Sequence, residues 1–145
     1  MLPYATGLRY EANKPSHGSG GAAVEGSTAL QRPLVKMLRT MLRPGVLIRH
    51  ITAGGADART GAKLKAMGRM AGCADLEFMW RDERGLHVLF LELKLPGRKQ
   101  TPSQLEFMEL VRPLGPYCVA TTIPEALAAL ATCGLLVRAE MKIAA

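Results

Sequence analysis

The sequence lacks long hydrophobic runs, paired cysteines and a recognisable secretion signal. Its apolar runs stay far below the roughly 18 residues of a membrane-spanning helix, so no transmembrane segment is expected. The N-terminal stretch is glycine-rich and polar, without the charged start and apolar middle of a signal peptide. The three cysteines form no Cys-x-x-Cys pair, which argues against a disulfide framework. These absences predict a cytoplasmic protein in a reducing compartment.

Acidic residues are nearly absent from segment 31–72. This segment holds nine Lys and Arg residues against the single acid Asp57, so it carries +8 while the whole chain carries +7. Such segregation of charge, with a pI near 9.7, favours a polyanionic partner such as nucleic acid. The alternative is a solvated basic surface without a partner.

The length of 145 residues, of which 48% are apolar, fits one domain with a buried core. Residues 1–27 contain a glycine-rich stretch without apolar periodicity and are predicted to form a flexible tail. Residues 28–145 are predicted to form the domain.

Periodicity and turn residues predict the elements of this domain. Helices are expected at 33–42 (starting near Arg32), 62–70, 102–115 and 124–133, and strands at 46–51, 76–80, 86–95, 117–121 and 135–137. The two central strands should form a hairpin with a four- or five-residue loop. The order predicts an α/β domain with a mixed central sheet flanked by helices.

Two ionisable residues interrupt the apolar strand at 86–95. Glu92 and Lys94 share one face with Val88 and Phe90, while leucines occupy the other face. Buried charges are costly unless they are paired or bound. A plain Glu–Lys salt bridge and emergence of the strand into solvent are the two structural alternatives to a functional site.

Asp75 precedes the first hairpin strand, and the fold-back of the hairpin should bring it beside Glu92, with Lys94 one step beyond. Two carboxylates and a backbone carbonyl suit Mg²⁺, which retains water molecules as its other ligands. A neighbouring lysine could orient a water or stabilise phosphate charge. This set of groups is suited to metal-assisted phosphodiester hydrolysis.

The spacing Asp75…Glu92-Leu93-Lys94 resembles the PD-(D/E)XK nuclease motif, and its surroundings resemble the VRR-NUC group. The blocks that carry the resemblance are Gly68…Gly72-Cys73-Ala74-Asp75-Leu76, Phe90-Leu91-Glu92-Leu93-Lys94, Gly97…Thr101-Pro102-Ser103-Gln104 and Gly115, with a lead-in at His50…Gly54-Gly55…Lys63-Leu64-Lys65. The resemblance spans roughly residues 30–130 and implies a restriction-endonuclease-like core.

The resemblance also implies roles for individual residues. Asp75, Glu92 and the Leu93 carbonyl would hold Mg²⁺ or Mn²⁺, and Lys94 would position the nucleophilic water. Gln104 would support the site, although the same residue fits a capping box with no catalytic role. The basic residues expected to hold the DNA backbone are Arg59, Lys63, Lys65, Arg69, Arg98 and Lys99.

Small phage and bacterial members of this group resemble branched-DNA or Holliday-junction nucleases that act as dimers. The resemblance thus implies an intracellular homodimer that cuts branched or flapped DNA. Two rival functions are a nucleic-acid-binding module with a degenerate site and a purely structural α/β domain.

The sequence departs from the group pattern at two places. Ala74 replaces the proline of the motif, and no glutamate stands beside Gln31, where many members carry one; Glu25 is the nearest acid. His50 ends a predicted strand and could face the site, but a lone histidine is more often structural.

Overall fold

A four-stranded sheet with helices on both faces forms the centre of the molecule. The computed structural model describes residues 25–51 and 58–137. The predicted tail falls outside these residues except for 25–27, and Gly54-Gly55 also falls outside them. Among the described helices, none combines the length and apolar character needed to cross a bilayer.

The elements follow the predicted order. They are α1 (Glu25–Met41), β1 (Leu47–His50), α2 (Ala58–Ala66), β2 (Leu76–Asp82), β3 (Gly85–Leu93), α3 (Pro102–Val111), β4 (Tyr117–Ala120) and α4 (Ile123–Thr132). The strand order is β1-β2-β3-β4, with antiparallel pairing except between β3 and β4, which run parallel. Because parallel strands need a crossover connection, α3 lies between them in the chain. The predicted α/β class with a mixed sheet is confirmed.

Strand β3 is apolar on both faces, as its sequence predicts. Leu89, Leu91 and Leu93 belong to the main core, together with leucines of α1 and α4. On the other face, Phe90 packs in a second cluster with Phe107 of α3. A strand covered on both faces is typically a continuous apolar run, so Glu92 and Lys94 at its end are exceptions to this pattern.

Helix α1 begins earlier than predicted. It starts at Glu25 rather than near Arg32, and Pro33 lies inside it instead of in its first turn. Pro33 cannot donate to the carbonyl of Ala29, which weakens the helix locally. The helix continues through this point because Leu30 extends the apolar stripe and packs against the main core.

The central hairpin turns more tightly than predicted. Asp82 pairs with Gly85, which leaves a two-residue turn rather than four or five residues. The Asp82 carboxylate accepts a hydrogen bond from the Arg84 N–H at 2.8 Å, and this Asx-type contact closes the turn. Strand β3 ends at Leu93, before the expected limit of 95, because its register partner Ala120 is the last residue of β4.

Further boundaries also differ from the prediction: α3 ends at Val111 rather than at 115, and β2 extends to Asp82 rather than to residue 80. Residues 135–137 add no sheet strand; Leu136 makes an isolated bridge to Leu42, because this segment hydrogen-bonds to the chain around the end of α1. Helix α2 runs from Ala58 to Ala66 instead of 62–70, since it ends where Gly68 takes a positive φ of 91°.

Gly72 sets the approach of the chain to β2. Its φ is +73°, and a Cβ placed there would lie 2.1 Å from the Ser103 carbonyl oxygen at the start of α3. The loop before β2 and the first turn of α3 therefore touch backbone to backbone, which only glycine permits.

We expect Gly72→Ala to destabilise the protein much more than Gly97→Ala. Both residues have a positive φ, but nothing lies within 4 Å of a Cβ at Gly97. Backbone strain alone costs about 1–2 kcal/mol, so Gly97→Ala should lose about that amount. Gly72→Ala should lose at least about 2 kcal/mol more, because backbone atoms must also move. Urea denaturation of both variants measures the difference, and equal losses would contradict the close approach.

Candidate active site

The end of the central hairpin places Asp75 beside Glu92. Leu76 pairs with Leu91 in the antiparallel ladder. Asp75, which directly precedes β2, therefore lies opposite Glu92 of β3. The Asp75 Oδ2 atom accepts a hydrogen bond from the Leu93 N–H at 2.8 Å. The structure thus brings the two carboxyl groups to the same end of the sheet.

Glu92 is almost completely buried. The residue is 1% exposed, and its Oε1 atom accepts from Gln104 Nε2 at 2.6 Å and lies 3.3 Å from Lys94 Nζ. Its Oε2 atom is buried and has no hydrogen-bond partner within the described residues. A buried carboxylate oxygen without a donor is costly, so this atom is available to a ligand.

Gln104 connects α3 with both charged residues of β3. Its Oε1 atom accepts from Lys94 Nζ at 2.6 Å and from the Thr101 N–H at 2.9 Å, while its Nε2 atom donates to Glu92. The capping box predicted for α3 is confirmed, with Thr101 as the N-cap. The same side-chain amide of Gln104 thus makes the capping-box contact and contacts both Lys94 and Glu92.

Of the two structural alternatives for Glu92 and Lys94, the structure contradicts emergence of the strand into solvent and shows the salt bridge. The strand does not carry them into solvent, because the side chains are 2% and 14% exposed. A Glu92–Lys94 ion pair is present, as the other alternative required. This pair involves only Oε1 of Glu92 and therefore leaves the Oε2 atom unpartnered.

The environment disfavours simultaneous ionisation of the two carboxyl groups. Burial, followed by the Asp75 charge, raises the pKa of Glu92 from 4.5 to about 7, against the opposing effect of Lys94. Burial also raises the pKa of Asp75, while the Leu93 N–H, Lys94 and His50 oppose this rise. A cation between the two groups would favour the charged form of both.

The donor set fits a small, hard cation that keeps several waters. Asp75 and Glu92 supply carboxylate oxygens, but the described residues contain no cluster of three or more His, Cys, Asp or Glu suited to a metal. The Leu93 N–H faces Asp75, and the N–H and C=O of one residue in an antiparallel ladder face the same side. The Leu93 carbonyl is therefore a third candidate oxygen, and Mg²⁺ typically completes its shell with water.

The predicted DNA-binding residues lie on two connections that leave this end of the sheet. Residues between β1 and β2 include Arg59, Lys63, Lys65 and Arg69, and residues between β3 and α3 include Arg98 and Lys99. All are exposed except Arg69, which is half-buried. Because β1 and β3 end where β2 begins, both basic connections start beside the carboxyl pair.

His50 and Gln31 lie next to the backbone of Asp75. The His50 Nδ1 atom is 2.9 Å from the Asp75 carbonyl oxygen and 2.7 Å from Gln31 Nε2. By the strand register, His50 shares a face with Leu76, on the opposite side of the sheet from the carboxyl pair. Its contacts are those of a residue that holds Asp75 in place. Glu25 begins α1.

Sequence reasoning missed Glu77, the second buried acid of the described residues. It is 7% exposed and accepts hydrogen bonds from Arg49. Its position two residues after Asp75 in an apolar strand places it on the same face, which was the available signal.

Comparison of the chain with protein-family models, curated proteins and solved structures gave no match. The local geometry of the site is therefore the basis for inferring its function.

We expect the metal-free protein to lose stability as the pH rises from 4.5 to 8. Folded Glu92 keeps its proton to about pH 7, whereas the unfolded chain releases it near 4.5, so its stabilising contribution is full at low pH and is lost through pH 7. Glu92→Gln cannot ionise and should gain up to about 3 kcal/mol over the wild type at pH 8 relative to pH 4.5.

Urea denaturation in metal-free buffer measures this difference. Glu109→Gln is the matched control, because Glu109 is exposed on α3 and its ion pair with Arg112 is on the surface. A Glu92→Gln effect that is the same at both pH values would contradict the assigned environment.

Proposed function

We propose that this protein is a metal-dependent DNA endonuclease of the VRR-NUC type, with a restriction-endonuclease-like core. The observation that carries the proposal is the buried Glu92 carboxyl, which has one unpartnered oxygen and lies beside Asp75, Lys94 and Gln104. A purely structural ion pair would not require a second carboxyl group at this place.

Each residue of the site has a separate role in the proposed phosphodiester hydrolysis. Asp75, Glu92 and the Leu93 carbonyl would hold Mg²⁺ or Mn²⁺, which supplies Lewis acidity and lowers the pKa of water. Lys94 Nζ, held between Gln104 and Glu92, orients the attacking water or stabilises charge on the phosphate. Gln104 fixes the position of that ammonium group relative to Glu92.

The basic connections supply the substrate contacts. Phosphate contacts by Lys and Arg fix the position of DNA without reading its sequence. Exposed basic side chains on the two connections that leave this end of the sheet therefore suit a substrate selected by shape, such as a four-way junction or a flap. We therefore propose branched DNA as the substrate.

A second candidate function is a basic nucleic-acid-binding module without activity. Two observations favour it: the described residues hold no cluster of three or more His, Cys, Asp or Glu suited to a metal, and Ser27-Thr28-Ala29 stand where many VRR-NUC members place a glutamate. This candidate predicts salt-dependent DNA binding without cleavage in any divalent ion.

Cleavage assays separate these functions. Labelled linear, flap and four-way DNA are incubated with the protein in Mg²⁺, Mn²⁺ or EDTA. We expect cleavage with either ion and none in EDTA, and Glu92→Ala or Lys94→Ala should lower the rate at least about 100-fold. DNA affinity, measured in EDTA, should remain close to that of the wild type. Salt-dependent binding without cleavage would support the inactive module, and absence of binding would support a structural domain.

Matched variants test whether Gln104 acts beyond the helix cap. Thr101→Ala removes the side chain that accepts from the Gln104 N–H, whereas Gln104→Ala removes the contacts to Lys94 and Glu92 as well. At equal thermal stability, Gln104→Ala should cleave at least about 10-fold more slowly than Thr101→Ala. Equal rates would restrict Gln104 to capping.

We further propose that the enzyme acts as a homodimer, since a chain of this length presents one such site while resolution of a junction needs two cuts. Light scattering under assay conditions should give twice the chain mass of 15.6 kDa. A monomer with full junction-cutting activity would contradict this.

A further inference from the structure

Arg49 and Glu77 form a cross-strand pair between β1 and β2. The two residues are direct register partners. Arg49 donates to Glu77 Oε2 through Nε at 3.1 Å and also through Nη2. The Arg49 side chain is 60% exposed, whereas that of Glu77 is 9% exposed. The guanidinium group is therefore held along one edge and open to solvent along the other.

The stability of the fold does not account well for this arrangement. An ion pair with one largely exposed partner is worth only about 0–1 kcal/mol. Burial of a carboxylate within the strand is costly and needs compensation. An apolar residue at the Glu77 position would fill the same space without that cost, so the pair suggests a use for the fixed guanidinium.

The location of the pair indicates that use. Glu77 lies two residues from Asp75 on β2, so their side chains share one face of the sheet and their Cα atoms are about 7 Å apart. Phe90, the register partner of Glu77, is two residues from Glu92 on the same face. Arg49 on β1 thus shares the sheet face of Asp75 and Glu92, one strand from Asp75 and two strands from Glu92.

The free side of Arg49 is suited to a phosphate. Within the described residues, its Nη1 atom makes no hydrogen bond. The planar fork of arginine matches phosphate oxygens, and a guanidinium already fixed by a carboxylate loses little entropy on binding. Residues on strands are also positioned more precisely than those on loops.

We propose, on the basis of the nuclease function proposed above, that Arg49 binds a backbone phosphate of the DNA on the same sheet face as the carboxyl pair. Glu77 is its positioning residue and does not contact the substrate. Arg49 thereby sets the register of the strand, so that the scissile phosphate lies over Asp75 and Glu92.

Binding and cleavage assays with three arginine variants test this proposal. The full chain is titrated onto labelled four-way DNA in EDTA at several salt concentrations. Arg49→Ala should weaken binding about 5- to 10-fold and reduce the salt slope by about 1, the value for one lost phosphate contact. Arg49→Lys should keep the salt slope but lower kcat/KM, because it retains the charge and loses the fork. Arg81→Ala is the matched control, since Arg81 is exposed at the opposite end of β2. This variant should leave DNA affinity, the salt slope and kcat/KM unchanged.

The role of Glu77 is tested by a double-mutant cycle. Glu77→Gln should lower kcat/KM in the wild-type background and have no further effect in the Arg49→Ala background. If Glu77→Gln lowers kcat/KM equally in both backgrounds, Glu77 does not act through Arg49, and its positioning role is overturned.

The outcomes distinguish this inference from the nuclease proposal. If Arg49→Ala and Arg81→Ala behave alike while the wild type binds and cuts DNA, the Arg49 contact is wrong and the nuclease function stands. If the wild type fails to bind DNA, the nuclease function itself fails. Should Arg49→Ala fold poorly, the Arg49→Lys comparison decides: a kcat/KM equal to that of the wild type would exclude the phosphate fork.

Discussion

The burial of the Glu92 carboxyl at the end of the central strand constrains everything around it. The group is removed from water, its pKa is raised to about 7, and only one of its two oxygens has a partner within the described residues. Lys94, Gln104 and Asp75 are arranged around this carboxyl. An apolar residue would fill the same space at lower cost, and this cost supports the proposed cation site.

The fold supplies this arrangement with few elements. The hairpin of β2 and β3 brings Asp75 next to Glu92, and the Gly72 contact seats the preceding loop against α3. The first turn of α3 then presents Gln104, whose amide is fixed at once by the helix cap and by the site. The hairpin and the helix cap thus position the side chains of Asp75, Glu92 and Gln104. The parallel pairing of β3 with β4 holds the end of β3 between two neighbours.

Prediction from the sequence succeeded where the determinants are local. The alternation along β3, the N-cap at Thr101 and the order of elements up to α4 follow from periodicity and capping rules, and all were confirmed. The start of α1 was missed because Leu30 gains its partners only in the tertiary core, which overrides the local effect of Pro33. The Arg49–Glu77 pair was missed because strand register, which joins residues far apart in sequence, is not readable from either strand alone.

The central claim is that Asp75 and Glu92 together bind one divalent cation. Mn²⁺ binding, measured by electron paramagnetic resonance on the metal-free protein, tests it without requiring cleavage. We expect one bound Mn²⁺ per chain at pH 8, lost in Asp75→Asn and Glu92→Gln and retained in Glu109→Gln. Equal Mn²⁺ binding by the wild type and both site variants, or no binding by the wild type, would contradict it.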